Sequence, residues 1–176
     1  MHTMDDTRNL TDNLKGKSHE DIRDILDQNG VKLEIACENT LRDFNMGSIV
    51  RTANGFGVRR VHIIGRRTWN KRGAMATNKY LHVQYYATIE EFITEMKRRE
   101  MTVVAIENNV ESQSLQKTSL PEKTVLVFGQ EGPGISEEFL SVVDQVLHID
   151  QYGSTRSFNV GHAAAIAMYE WSRQHL

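Results

Sequence analysis

The spacing of hydrophobic and polar positions changes period repeatedly along this chain. SHEDIRDILDQNG (18–30) opens with a serine suited to capping, puts Ile22, Ile25 and Leu26 on one face and stops at Gly30, which predicts a helix. VKLEIAC (31–37) alternates as a strand does, and MGSIVRTANGFG (46–57) returns to helical spacing with Ile49, Val50 and Ala53 inward. VHIIG (61–65), MTVVAIE (101–107) and KTVLVFG (123–129) are short, nearly continuous apolar runs, the pattern of strands buried on both faces of a parallel sheet. HVQYYA (82–87) predicts a further strand, and IEEFITEMKRRE (89–100) an amphipathic helix. ISEEFLSVVD (135–144) predicts a helix with two acids in its first turn, and QVLHI (145–149) a last strand. A polar loop and an alanine-rich helix close the chain, while 66–80 and 108–122 read as irregular connections. Five or six strands alternating with helices predict an α/β fold with a largely parallel sheet flanked by helices. Ligands of such sheets bind beyond the strand C-termini, so the loops after Cys37, Gly65, Ile106, Phe128 and Ile149 are where chemistry is expected.

Composition narrows this picture in two respects. At 176 residues, with 39% hydrophobic and 25% charged residues, the chain is expected to form one compact unit after a polar N-terminal tail and short helix over 1–30. No apolar run approaches the ~18 residues of a membrane span, no signal-peptide core is present, and a cytoplasmic protein is expected. The single Cys37 excludes an intramolecular disulfide, and the scattered histidines have no metal-ligand spacing, so no metal is expected.

Charge is the second respect, because the formal net charge of -2 conceals segregation. From Phe44 to Ile89 there is no Asp or Glu, yet the same stretch carries Arg51, Arg59, Arg60, Arg66, Arg67, Lys71, Arg72 and Lys79. A basic face on an otherwise acidic chain points to a polyanion such as RNA, with Trp69 available to stack on a base.

Three segments concentrate polar groups on the loops singled out above. In 38–65, Asn45 stands at a helix start and Arg51 follows about 1.7 turns later on a similar side, suited to a carboxylate partner or a phosphate. In 125–139, an apolar strand runs into Gly129, Gly132 and Gly134 around Glu131, and Pro133 stiffens the loop. In 146–170, Ser157 and Asn159 stand at a helix start behind Ser154, Thr155 and Arg156, more polar groups than one cap requires. A GxGxxG after the first strand is missing, which disfavours a nicotinamide-dependent oxidoreductase, and without GK[ST] phosphate-loop ATP hydrolysis is unsupported.

In order and spacing these segments resemble the three signature motifs of the SpoU (TrmH-like) family of RNA ribose 2'-O-methyltransferases, within the SPOUT class, over roughly residues 31 to 173. The resemblance implies a methyltransferase domain over 31–176 whose C-terminal part forms a deep trefoil knot. It further implies S-adenosyl-L-methionine (AdoMet) as cofactor, a homodimer that completes the site, and an RNA substrate, tRNA favoured over rRNA. It assigns catalytic roles to Asn45, Arg51, Glu131, Ser157 and Asn159, and cofactor contacts, mostly main chain, to Ile106, Gly129, Ile149 and Phe158. With no added RNA-binding domain, Arg59, Arg60, Arg66, Arg67, Lys71 and Arg72 are expected to hold the RNA. The sequence departs from the family where SFNVG replaces the usual SLNVS and Asp150 stands where proline is common. The alternative is a non-catalytic RNA-binding protein retaining the fold.

Overall fold

The computed structural model describes residues 10–40, 45–108 and 110–176; part of the N-terminal tail and part of the first motif (41–44) lie outside the described residues. In chain order the elements are α1 (His19–Gln28), β1 (Glu34–Asn39), α2 (Asn45–Gly55), β2 (Arg60–Gly65), β3 (His82–Tyr86), α3 (Ile89–Arg98), β4 (Thr102–Ile106), β5 (Gln113–Ser114), β6 (Thr124–Phe128), α4 (Glu137–Leu140), β7 (Gln145–His148) and α5 (Val160–His175). The strands form one seven-stranded sheet in the order β3-β2-β1-β6-β4-β7-β5, with every pairing parallel.

Period-two alternation splits the buried strand residues between two cores. Leu126 and Phe128 of β6 join Ile35, Ile63, Val104 and Leu147 beneath α2 and α5, whereas Val125 and Val127 join Ala36, Ile64 and Ala105 beneath α3 and α4. The sheet is thus covered on both faces, which is why its strands read as near-continuous apolar runs. Helix α5 contributes Ala164, Ala167, Met168 and Trp171 to the first core, and its small residues let it approach the sheet closely. No helix among the described residues is long and apolar enough to cross a membrane.

Three expectations are corrected. The helix expected over 135–144 is a single turn, Glu137–Leu140, because Asp144 pairs through its backbone and carboxylate with Val103 and leads directly into β7. The polar connection before β6 contains β5, a two-residue strand too short to leave a periodic signal. Strand β1 begins at Glu34 instead of Val31, and all six of its residues are buried, including the polar Glu34, Glu38 and Asn39.

Glu34 tolerates burial because it is surrounded by donors. Arg99 bonds both its oxygens, one at 2.8 Å, His62 Nε2 lies 2.8 Å away, and Arg60 approaches to 3.5 Å. Burial alone would raise the carboxyl pKa; the hydrogen bonds from His62 and Arg99 more than offset it and hold it at about 2. The group therefore contributes stability above its unfolded-state value near 4.5, and loses it as pH falls from there through about 2. Denaturant midpoints measured from pH 6 to 2 should show this loss, on the order of 3 kcal/mol. Glu34→Gln should be weaker at neutral pH and lack that acid-side component; an unchanged acid profile would refute the assignment.

Candidate active site

The C-terminal ends of β4, β6 and β7, with the loop before α5, enclose a cleft of about 200 Å³. Ile106, Phe128, Ile149 and Phe158 give it apolar walls, and Glu131, Ser157 and Asn159 stand among its polar lining. All four residues that the resemblance assigns to the cofactor therefore face one space, three strand ends apart in sequence but adjacent in the sheet. Phe158 remains 41% exposed, an aromatic ring offered to the cleft instead of to the core.

The glycine-rich loop is held in a tight turn. Gln130 and Gly134 exchange both backbone hydrogen bonds, at 3.1 and 3.0 Å. That closure needs Gly129, since a β-carbon there would lie 2.2 Å from the carbonyl carbon of Gly134. Gly132 and Gly134 adopt positive φ, which favours glycine. Glu107 braces the loop from β4, accepting the backbone N–H of Ile135 at 3.0 Å and of Asn108 at 2.9 Å. Asn108 in turn donates to the carbonyl of Arg156 at 2.7 Å, joining the β4 loop to the segment before α5.

Three of the polar residues meet directly. Asn45, the first residue of α2, donates through Nδ2 to Glu131 at 2.9 Å. Asn159 Nδ2 donates to Asn45 Oδ1 at 3.0 Å and approaches the other Glu131 oxygen at 3.4 Å. The Oδ1 of Asn159 meanwhile caps α5, accepting from the N–H groups of Gly161 at 2.9 Å and His162 at 3.4 Å. One side chain thus performs the ordinary capping task and ties the starts of α2 and α5 to the glycine loop. Gly161, a departure from the family pattern, sits beneath this contact, where a β-carbon would come within 3.1 Å of Asn159 Oδ1. Asp150, another departure, accepts from Ser114 at 2.7 Å and lies 3.1 Å from His148 Nε2, fastening β5 to β7.

Ser157 is exposed and lines the cleft; Ser154, Thr155 and Arg156 are exposed on the loop before it. Arg51 lies on the exposed side of α2 and is not among the cleft-lining residues. Glu107, Asn108 and Gln130 belong to the site but escaped the sequence reading. The only available signal was a polar residue immediately beyond the end of each buried strand.

The expected RNA patch divides. Arg66 and Arg67 follow β2, and Lys71 and Arg72 begin the next loop; all four are exposed. Arg67 sits over the Tyr85 ring at 4.8 Å and Lys71 near the Trp69 ring at 5.9 Å. Asn39 shapes this loop by donating to the carbonyls of Arg66 and Thr68, at 2.5 and 3.2 Å. The loop is seated on α2 through Gly47 and Gly73, where a β-carbon on Gly47 would lie 2.8 Å from Gly73 Cα. Arg59 and Arg60 do not belong with them. They stand at the opposite end of β2, roughly 20 Å away for a six-residue strand. Arg59 is buried and donates to Asp27 and the Tyr80 carbonyl, fixing α1 to the sheet, and Arg60 faces Glu34. The place of Arg59 in the patch is corrected to a structural one, while Arg60 stays exposed at that far end of the strand.

No cluster of three or more His, Cys, Asp or Glu suited to a metal ion occurs among the described residues. The cleft's own composition suits a purine-bearing sulfonium cofactor, with apolar side chains for a planar ring and a loop whose main chain approaches closely at the glycines.

Comparison with known proteins agrees with this geometry. Residues 32–169 match the SpoU rRNA Methylase family. The tRNA (guanosine(18)-2'-O)-methyltransferase of Thermus thermophilus is 28% identical over 159 residues, covering 88% of this chain and 81% of that protein. Among solved structures, the TrmH/SpoU tRNA modifying enzyme of A. aeolicus superposes with a TM-score of 0.77 at 27% identity, over 89% of this chain and 81% of that one. An AdoMet-bound rRNA methyltransferase from Sinorhizobium meliloti gives a TM-score of 0.72 at 25% identity, over 88% of this chain and 60% of that one. The family match covers most of the chain, including all three polar loops, and the protein therefore belongs to the SpoU rRNA methylase family.

Proposed function

We propose that this protein transfers a methyl group from AdoMet to a ribose 2'-hydroxyl of a structured RNA, with tRNA the favoured substrate. Family membership supports the reaction class and the cofactor, and the tRNA-modifying relatives support the choice of RNA. The observation that carries the reading is the Asn45–Glu131–Asn159 network beside an apolar cleft, which a module that only binds RNA does not require.

AdoMet supplies an electrophilic methyl group; the chain's residues hold the acceptor and manage charge. Ile106, Ile149 and Phe158 provide the apolar wall and Gly129 the close main chain. Glu131 receives an N–H from both Asn45 and Asn159, so its role is to fix the start of α2 and the rim of the cleft, with Ser157 beside it. Arg51, about 1.7 turns along α2, is positioned by that anchor toward the nucleotide. Arginine stays protonated, its pKa lying above about 12, so Arg51 stabilises negative charge on the 2'-oxygen and grips a phosphate instead of acting as the base. With the charge of the 2'-oxygen held by Arg51, the hydroxyl proton would leave to a phosphate or solvent as that oxygen takes up the methyl group that AdoMet would supply.

The same reading carries a deep trefoil knot in the C-terminal part, in which the loop before α5 is tied to the β4 loop by Asn108, and a homodimer. Exposed Ile166 and Tyr169 on α5 support such an interface. The reading is tested by calorimetry with AdoMet together with mass spectrometry of total RNA from cells with and without the protein. A 2'-O-methyl group lost from tRNA is the expected result; an unchanged RNA methylation map would refute it.

The exposed loop residues Arg66, Arg67, Lys71 and Arg72 supply the general attraction for RNA. Replacing all four with Gln should weaken tRNA binding and lower the slope of log affinity against log salt by about 3.6 if each meets one phosphate of a duplex. Filter binding at several salt concentrations measures this, and an unchanged slope rules the patch out.

A further inference from the structure

A second polar groove lies along the outer edge of the sheet, beyond β3, between that strand and α1. Arg23 of α1 borders it, together with Trp69, Lys71, Lys79 and Tyr85, and no carboxylate does. Its volume is about 460 Å³, and none of its lining residues lines the AdoMet-type cleft. The edge strand β3 is separated from β6 by β2 and β1, three strand spacings or about 14 Å, so the groove cannot hold the nucleotide being methylated.

Its chemistry is specific in two ways. Arg23 has a buried Nε that meets no acceptor among the described residues, although the helix around it is rich in acids. One of those, Asp27, four residues on, is already bonded to Arg59 and His82. A guanidinium whose buried Nε meets no acceptor, beside a groove lined by no carboxylate, is stabilised by an anion entering from solvent. The second feature is Trp69, which is half-buried, donates its indole N–H to the Tyr85 hydroxyl at 3.4 Å and is approached by the Lys71 ammonium, so its ring is fixed in place before any ligand arrives. A preset aromatic ring among cations, at a sheet edge, suits unpaired nucleotides that stack on it while their phosphates meet the cations.

We propose that this groove is a docking site for single-stranded nucleotides of the substrate RNA flanking the methylated one, with the ring of Trp69 stacking on a base and Arg23 and Lys79 meeting phosphates. The proposal rests on the reading of the protein as an RNA methyltransferase and assigns α1, outside the family match, a part in substrate selection.

The chain has two tryptophans, and Trp171 is buried in the first core, so quenching of intrinsic fluorescence by RNA reports on Trp69. Titration with a mixed-sequence single-stranded RNA of ten nucleotides should quench that emission. In anisotropy with the fluorescein-labelled oligonucleotide, Trp69→Leu should bind about tenfold more weakly. Arg23→Gln combined with Lys79→Gln should lower the salt slope by about 1.4, two phosphates on a single strand. The AdoMet affinity of each variant should match that of the unaltered protein, since Arg23, Trp69 and Lys79 do not line the cleft. With tRNA as substrate, both variants should raise KM and leave kcat unchanged. Unaltered oligonucleotide affinity and slope in the variants would overturn the proposal, as would the absence of quenching. A protein that methylates RNA but shows those results loses only the groove. One that binds the oligonucleotide through Trp69 yet methylates no RNA loses the methyltransferase reading instead.

Discussion

Arg51→Ala should lower the rate of methyl transfer at saturating RNA by about 10²–10³-fold while leaving AdoMet affinity within twofold of the original. The expectation follows from where the residue stands. Asn45, six residues before it on α2, is bonded to both Glu131 and Asn159, so the helix that carries Arg51 is anchored to the rim of the cleft. Arg51 is outside the cleft-lining set, and its removal therefore leaves the cleft walls of Ile106, Ile149 and Phe158 intact. Single-turnover kinetics with tRNA, paired with calorimetry, separates the two effects. Full turnover in Arg51→Ala, with loss in Glu131→Ala, would reverse the roles assigned to the two residues. Arg51→Lys keeps the charge without the planar fork and should recover only part of the rate.

Gly129→Ala should abolish measurable AdoMet binding and cost about 3 kcal/mol of stability. The added β-carbon would lie 2.2 Å from the carbonyl carbon of Gly134, 2.3 Å from its oxygen and 2.4 Å from the N–H nitrogen of Ile135. All three are backbone atoms, unable to rotate away as a side-chain tip would. The loop would have to open, breaking the paired hydrogen bonds between Gln130 and Gly134 and displacing Ile135 from Glu107. Gly132→Ala is the matched control for packing, because a β-carbon there meets nothing within 4 Å; its positive φ alone should cost about 1 kcal/mol. Calorimetry and thermal melting of the two variants distinguish a collapsed loop from a merely strained one. Equal AdoMet affinity in Gly129→Ala and the unaltered protein would show that the loop tolerates opening.

Much of the architecture was legible before any coordinates. Apolar runs such as VLVF and VVAI have one stable environment, the interior of a sheet covered on both sides, and the helices between them carry their caps and periodicity openly. The polar residues at the strand ends were legible too, because a parallel sheet presents its functional loops at one edge. The alternation of 31–37 was read correctly as a strand, but it did not reveal that the strand's polar residues are buried. Glu34 is buried because His62, Arg60 and Arg99 are brought to it from other elements, and nothing within the segment announces them. The short helix α4 and strand β5 were likewise set by partners, Val103 for the one and β7 for the other.

By itself, then, the sequence determined the layers, the approximate elements, the edge of the sheet that carries chemistry, and through its motifs the family. Those properties depend on local periodicity and on residue types at fixed intervals, which a chain carries without being folded. Only the tertiary structure decided which polar residues meet and which basic residues share a surface. Asn45, Glu131 and Asn159 become neighbours because α2, the glycine loop and α5 converge, across separations of 86 and 114 residues. Arg59 and Arg66 are close in sequence, yet one strand length places the first in a buried ion pair and the second on an exposed loop. A six-residue strand that traverses the sheet is short in sequence and long in space, and that conversion is made only by folding.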